Sequence, residues 1–266
     1  MRGGIIAGRA FGAGLAIATA WLASPALASR MDDSEALRIS QAAIGRTLGG
    51  YTLTAADGTP LKLEQLRGRP VVLSFVYTSC YQVCSGLTLR LRETIKVAHE
   101  ALGPESFAVV TVGFDTPNDT PERMRLYARE RGATLPGWTF ASADAATIER
   151  FARDAGFTYF ASPKGFDHIT QTTIIDAAGR VMLQVYGEDF APPLVVEPLK
   201  KLVWGQNLDR RTLEGLVNTV KLFCTIYDPT SGRYRFDYSL IVNILAGGLA
   251  LGIAAAGILA ALRNVR

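Results

Sequence analysis

The chain has 266 residues, 48% of them apolar and 20% charged, which is the composition of a folded globular protein and excludes wholesale disorder. Its net charge is +4, from 28 basic and 24 acidic residues. Arg2, Arg9, Arg263 and Arg266 account for the excess, because removing them leaves 24 basic residues against 24 acidic ones. The neutral body argues against nucleic-acid binding, which needs a basic patch on the folded domain.

The N-terminus has the parts of a secretory signal. Arg2 and Arg9 precede an apolar run over residues 10–23, and the small residues Ala26 and Ala28 follow. A charged region, an apolar region and an A-x-A pattern predict a signal peptide over residues 1–28, cleaved after Ala28. An uncleaved membrane anchor is the alternative.

The body between residues 45 and 205 predicts one α/β domain. A hairpin is expected across residues 53–61, with its turn at Asp57-Gly58. Further strands are predicted over residues 71–77, 107–112 and 138–140, and as a second hairpin over 172–175 and 181–185. Helices are predicted over residues 87–102, from an N-cap at Thr120, from Ser142 to Ala155, and over 197–204 and 213–223. This alternation favours a central sheet with helices on both faces.

Residues 239–262 form a run without any charged side chain. As a helix the run is about 36 Å long, enough to cross a hydrocarbon core of about 30 Å. Arg263 and Arg266 follow it, so the positive-inside rule predicts a cytoplasmic C-terminus. We therefore expect a single-pass protein of the inner (cytoplasmic) membrane with its soluble domain on the periplasmic side. A helix buried in the protein core is the alternative.

Two of the three cysteines, Cys80 and Cys84, lie between the predicted strand 71–77 and the helix that follows. A helix N-terminus lowers the pKa of a thiol, so this spacing predicts two activatable sulfurs at the carboxyl end of the sheet. Two thiolates suit Cu(I), and an added imidazole would also hold Cu(II). A simple disulfide between Cys80 and Cys84 is the alternative interpretation.

The chain has only two histidines, His99 and His168. His99 falls within the predicted helix 87–102 and is interpreted as a surface residue. His168 falls in a predicted loop, residues 163–170, directly before the strand at Thr172. With two nearby thiols in need of a further ligand, His168 is the candidate for the third metal-binding position.

Three motifs in this order resemble the Sco/SenC family of copper-binding cytochrome c oxidase assembly proteins. They are Cys80-Tyr81-Gln82-Val83-Cys84 after the strand, the segment Gly113–Glu122 (GFDTPNDTPE), and Asp167-His168 before the strand at 172–176. The resemblance covers roughly residues 45–205. It implies a thioredoxin-like fold, with Cys80, Cys84 and His168 as copper ligands. It further implies delivery of copper to the CuA centre of cytochrome c oxidase, or reduction of the CuA cysteines.

The chain departs from the family pattern at several points. Tyr81 and Ser85 stand where family members often have proline, and the predicted tether is C-terminal rather than N-terminal. Cys224 lies in a juxtamembrane segment, residues 206–238, and is interpreted as a further ligand, a redox partner or a packed thiol.

Three aspartates are secondary candidates beside the metal ligands. Asp115 and Asp119 are interpreted as a helix-entry turn and a partner-facing charge. Asp167 is expected to orient the ring of His168 from the second coordination shell.

Two other functions compete with that of a membrane-tethered copper metallochaperone. A thiol–disulfide oxidoreductase would use a redox disulfide between Cys80 and Cys84 and would not need His168. A thioredoxin-like peroxidase is disfavoured, because such enzymes want a proline and a threonine closely before one cysteine. Here only Thr78 is suitably placed before Cys80.

Overall fold

The structure is a computed structural model that describes residues 33–80, 82–163, 165–205 and 225–264. The helices are α1 (Asp33–Ala42), α2 (Val83–Leu102), α3 (Pro121–Glu130), α4 (Ala145–Ala155), α5 (Pro193–Gly205) and α6 (Ser239–Asn264). The strands are β1 (Thr52–Ala55), β2 (Pro60–Lys62), β3 (Val71–Val76), β4 (Ala108–Gly113), β5 (Trp138–Ser142), β6 (Tyr159–Ser162), β7 (Gly165–His168), β8 (Gln171–Ile175), β9 (Val181–Tyr186), β10 (Thr225–Asp228) and β11 (Arg233–Phe236). From β3 to α4, strands and helices alternate along the chain.

One mixed sheet of seven strands organises the body, in the order β2-β1-β5-β4-β3-β8-β9. Strands β5, β4 and β3 run parallel, and the outer neighbours pair antiparallel. Every residue of β3 and β4 is buried, as expected for central strands covered on both faces. The prediction of an α/β fold around a central sheet is therefore confirmed.

Aromatic side chains fill the core beside β3. The ring of Phe75 stacks on that of Phe157 with centroids 4.6 Å apart, and lies 5.5 Å from that of Phe151 on α4. Helix α1, which was not predicted from the sequence, is joined to β8 by a buried hydrogen bond. Its Ser40 hydroxyl donates to the buried Gln171 side chain at 2.9 Å. The folded domain therefore begins before residue 45.

Local capping explains where α3 and α4 begin. The Thr120 hydroxyl accepts from the amide of Arg123, and Pro121 occupies the first helical position, as predicted. Asp144 caps α4 in the same way through the amide of Thr147. Helix α2 begins at Val83 rather than at 87, which places Cys84 in its first turn.

His168 is not in a loop, so this part of the sequence prediction is wrong. Strands β6 and β7 form a two-stranded hairpin in which Tyr159 pairs with His168 and Ser162 with Gly165. The strands are short and lack polar–apolar alternation, so periodicity gave no signal for them. We refer to strands β6 and β7 together as the histidine hairpin.

A second hairpin, β10–β11, packs against the body through the buried Lys200 of α5. The Lys200 ammonium donates to the Thr225 carbonyl, pairs with Glu197 at 3.1 Å, and lies 5.4 Å from the centroid of the Tyr234 ring. No strands were predicted in this part of the chain.

Helix α6 follows over Ser239–Asn264, where a helix was expected. Within the described ranges, none of the helices combines the length and the apolar character needed to cross a membrane. The predicted signal peptide, the predicted helix at 213–223 and Cys224 lie outside the described residues.

Candidate metal centre

The two cysteines lie at the carboxyl end of the central strand β3, where α2 begins. The amide of Cys80 donates to the carbonyl of Tyr77 at 3.0 Å, which turns the chain back toward the helix. Cys84 follows in the first turn of α2. Both are free thiols, and their exposed fractions are 9% for Cys80 and 1% for Cys84. The structure therefore brings the two predicted ligands together, with one sulfur deeper than the other.

The two sulfur atoms interact directly, and the interaction makes them chemically unequal. The backbone amide of Cys84 donates to Cys80 Sγ at 3.3 Å. A hydrogen bond from the Cys84 thiol, outweighing burial and aided by backbone donors and the Tyr77 hydroxyl, lowers the pKa of Cys80 to about 5. The same hydrogen bond, together with burial, raises the pKa of Cys84. Cys80 is thus a thiolate at neutral pH, which is the form that attacks disulfides and binds soft metals.

Side chains from α2 and α3 fix the backbone around the cysteines. The carbonyl of Cys84 accepts from the hydroxyls of Thr88 and Tyr127, each at 2.8 Å. The guanidinium of Arg131 lies 3.6 Å from the Tyr127 ring centroid and donates to the Ser85 hydroxyl at 2.9 Å. Sequence reasoning missed these residues, since nothing in the spacing of residues 84 and 127 shows that α3 packs beside α2.

Asp119 is part of the support of this segment and not a partner-facing charge. It is 1% exposed, and its carboxylate accepts from the amide and the hydroxyl of Thr78 at 2.8 and 2.7 Å. Its other oxygen accepts from the amide of Asp115, which is also buried. Burial raises the pKa of Asp119 although these hydrogen bonds favour its charged form. The predicted helix-entry turn is present, but both aspartates face inward.

His168 ends strand β7 with its ring packed among aromatic side chains. The ring centroids of Phe114, Phe157 and Tyr77 lie 5.4, 5.6 and 6.1 Å from that of His168. Nδ1 donates to the Ile169 carbonyl at 3.2 Å, because a carbonyl can only accept. This tautomer leaves the lone pair of Nε2 free for a metal. Burial lowers the pKa of His168 and so favours the neutral form that binds metals.

The predicted role of Asp167 is not the one that the structure shows. Asp167 is exposed, and the partner of the His168 ring is the Ile169 carbonyl. Adjacent residues of a strand point to opposite faces, which explains why Asp167 faces away from the ring. Its charge still raises the pKa of His168, as a minor effect beside burial.

The histidine hairpin lies beside the cysteines without closing on them. The negative charge of Cys80 raises the pKa of His168, against the larger effect of burial. The Tyr77 ring contacts His168. As placed, no three His, Cys, Asp or Glu side chains of the described residues form a group ready to hold a metal.

The second histidine does not belong to this centre. His99 lies in the last turn of α2, far along the helix from Cys84. It is half-buried against Phe107 with Nε2 unpartnered, rather than at the surface as expected.

The donor set of two thiols and an imidazole suits copper in either oxidation state. Zinc in a structural site normally takes four ligands, one more than these three. The residues of this centre could therefore support soft-metal binding, thiol exchange or both.

The known proteins to which this chain is similar include several Sco proteins. A Bacillus subtilis SCO1 protein homolog is 24% identical over 148 residues, covering 53% of this chain and 75% of the relative. A structure of Bradyrhizobium japonicum ScoI with copper bound has a TM-score of 0.51 at 21% identity, covering 59% of this chain and 99% of that one. A structure of BsSco, a member of the Sco family of cytochrome c oxidase assembly proteins with a disulfide switch, has a TM-score of 0.53 at 19% identity. That match covers 60% of this chain and 94% of BsSco.

These structural similarities establish the fold as the thioredoxin-like fold of Sco proteins, as expected. The family model of SCO1/SenC matches residues 40–203, which include Cys80, Cys84 and His168. The chain therefore belongs to the SCO1/SenC family.

Proposed function

We propose that the chain is a copper metallochaperone that binds copper through Cys80, Cys84 and His168 and helps to assemble the CuA centre of cytochrome c oxidase. The observation that carries the proposal is the pair of neighbouring thiols, with the Cys84 amide donating to Cys80 Sγ, beside a histidine whose Nδ1 donates to the Ile169 carbonyl and so leaves Nε2 as its metal-binding nitrogen. Membership of a family of cytochrome c oxidase assembly proteins, and a relative of the same fold with copper bound, support it.

The three proposed ligands contribute differently to the binding of Cu(I) and of Cu(II). Cu(I) is soft and accepts low coordination, so the sulfurs of Cys80 and Cys84 can hold it almost alone. Cu(II) prefers nitrogen donors in a tetragonal arrangement, so its binding depends more on His168. Because the three side chains do not already form a closed group, the histidine hairpin has to approach the sulfurs when copper binds.

The proposal includes a membrane tether formed by residues 239–262. Its support is the charge-free run, followed by Arg263 and Arg266. With the predicted signal peptide, this arrangement would hold the copper domain on the periplasmic face of the inner membrane. The acceptor would be an oxidase subunit or another copper-accepting protein on that face.

A thiol–disulfide oxidoreductase is the second candidate, favoured by the unequal thiols. The Cys80 thiolate would attack a partner's disulfide to form a mixed disulfide and release one partner thiolate. Cys84 would then attack Cys80, leaving a Cys80–Cys84 disulfide and a reduced partner with both of its thiols. The disulfide switch of BsSco supports such chemistry in this fold.

Substitution of His168 separates the two candidates, because only copper binding uses the imidazole. We expect His168→Ala to keep most of the Cu(I) affinity, to lose the thiolate-to-Cu(II) absorption, and to fail in oxidase assembly. Cys80→Ser should lose all three. The matched control is His99→Gln, which removes the other imidazole from the far end of α2.

Oxidase assembly by the His168→Ala protein at the level of the parent, with none by Cys80→Ser, would favour the oxidoreductase. Loss of Cu(II) absorption in His99→Gln would contradict the assignment of His168.

A further inference from the structure

Tyr77 occupies the junction between the thiols and the histidine hairpin. It directly follows β3 and is 8% exposed. Its ring packs against Phe114 and Phe166, each with centroids 5.3 Å away, and against His168. The ring therefore forms one wall of the aromatic pocket that holds the imidazole.

Tyr77 interacts with both halves of the centre. Its backbone carbonyl accepts from the amide of Cys80 at 3.0 Å. Burial first, and then the Cys80 thiol, raise the pKa of Tyr77 to about 12, and the backbone amide of Phe166 in strand β7 opposes the rise. Phe166 and His168 are two residues apart in that strand, so they point to the same face of the histidine hairpin. Tyr77 thus connects the segment that carries Cys80 to the strand that carries the imidazole.

Gly165 provides independent evidence for this close approach. A Cβ atom added there would lie 2.8 Å from the Tyr77 oxygen and 3.2 Å from Cε2 of the ring. The backbone at Gly165 has φ of +117°, a conformation that side chains other than glycine rarely adopt. The start of β7 therefore rests directly on the phenol, with no room for a side chain between them.

We propose that Tyr77 is a positioning residue whose hydroxyl fixes the histidine hairpin relative to Cys80, and so sets the direction from which His168 approaches copper. The part of this inference that concerns copper rests on the proposed function. The part that concerns the hairpin is a property of the metal-free protein. A phenylalanine at this position would keep the ring contacts and lose only the hydroxyl oxygen.

The first test is amide hydrogen exchange of the reduced, metal-free full-length chain. In Tyr77→Phe we expect the amides of the histidine hairpin to exchange at least about tenfold faster than in the parent. That factor corresponds to about 1.4 kcal/mol of lost contact energy between the hydroxyl and the hairpin. The matched control is Tyr51→Phe. Tyr51 is also 8% exposed, and its hydroxyl donates to Asp154, but it lies away from the thiols.

The second test is the absorption and electron paramagnetic resonance of added Cu(II). Tyr77→Phe should alter the thiolate-to-Cu(II) band and the copper resonance, whereas Tyr51→Phe should reproduce the parent spectra. Unchanged hairpin exchange together with parent-like Cu(II) spectra in Tyr77→Phe would overturn the inference. If the parent chain bound no copper, the proposed function would fail, and hydrogen exchange alone would decide the role of Tyr77.

A double-mutant cycle with Gly165→Ala tests the contact from the other side. The backbone strain of alanine at this φ is common to both backgrounds and cancels in the cycle. Because the nearest atom to the new Cβ is the hydroxyl, Gly165→Ala should destabilise the Tyr77→Phe protein less than it destabilises the parent. Equal destabilisation in both backgrounds would contradict the proposed contact. If Tyr77→Phe failed to fold, Gly165→Ala alone should show the altered Cu(II) spectra, and parent-like spectra would refute the inference.

Discussion

Cys80 should be a thiolate at neutral pH while its neighbour remains a thiol. With its pKa lowered to about 5 from a reference value of 9.0, Cys80 would be about 99% ionised at about pH 7, against about 1% for an ordinary cysteine. Between about pH 7 and 9 the ionised fraction of Cys80 would hardly change, whereas that of an ordinary thiol would rise about 50-fold. The hydrogen bond from the Cys84 thiol is the largest cause of this shift.

The assay is the rate of alkylation of Cys80 as a function of pH in a Cys224→Ser background. We expect the rate to vary less than about twofold between about pH 7 and 9, and to fall only toward about pH 5. Cys84→Ala removes the main hydrogen-bond donor, so the pKa of Cys80 should rise and the rate should become pH-dependent in this range.

The same shift predicts how Cys80 affects stability. Its folded-state pKa lies below the unfolded value, so its contribution is fully present above about pH 9 and is lost as pH falls toward about 5. The difference in urea midpoint between the parent and Cys80→Ser should therefore shrink on acidification. A rate of alkylation that climbs steeply between about pH 7 and 9 in the parent would refute this account of the thiols.

Three further predictions concern the supports of the site and the ends of the chain. Asp119→Asn turns an accepting oxygen into a donor facing a backbone amide, so it should lower the free energy of unfolding by about 1–3 kcal/mol in urea titrations; no loss would show that its hydrogen bonds are not needed. Lys200→Met should speed amide exchange in residues 225–236 at least about tenfold, because it removes the buried ammonium that binds the β10–β11 hairpin, and unchanged exchange would show that the hairpin is held by other contacts. A reporter fused after Arg266 should be active only in the cytoplasm and one inserted near Thr59 only outside it, and the reverse pattern would exclude the proposed topology.

The strong local signals of the sequence predicted the framework of the domain. The continuous apolar run at 71–77 became β3, buried at every position. Thr120 and Pro121 marked the start of α3, because capping is a property of a few neighbouring residues. The two cysteines came together for the same reason, since a strand end and the next helix start are close in space whatever packs around them.

Features that depend on distant packing could not be read from the sequence. Four cross-strand residue pairs join the two strands of the histidine hairpin. The His168 ring also contacts Tyr77 and Phe114, which directly follow β3 and β4. None of these interactions produces a periodic pattern in the sequence. The position of Asp119 before α3 predicts an exposed acid. Its burial depends on hydrogen bonds from the amide and the hydroxyl of Thr78, which is 41 residues earlier in the chain. The network from Tyr127 to the carbonyl of Cys84 likewise requires that α2 and α3 are already packed side by side.

The unequal burial of the two cysteines would give ligand exchange at the proposed copper centre a direction. Cys84 is almost fully enclosed, with its carbonyl held by Thr88 and Tyr127, while Cys80 lies nearer the surface. If copper binds as proposed, an incoming sulfur or nitrogen from another protein would reach it more readily from the side of Cys80. Departure of copper would begin with replacement of the Cys80 bond, and the bond to Cys84 would be the last to break. The domain would therefore release copper only after the acceptor protein had formed its own bond to the metal.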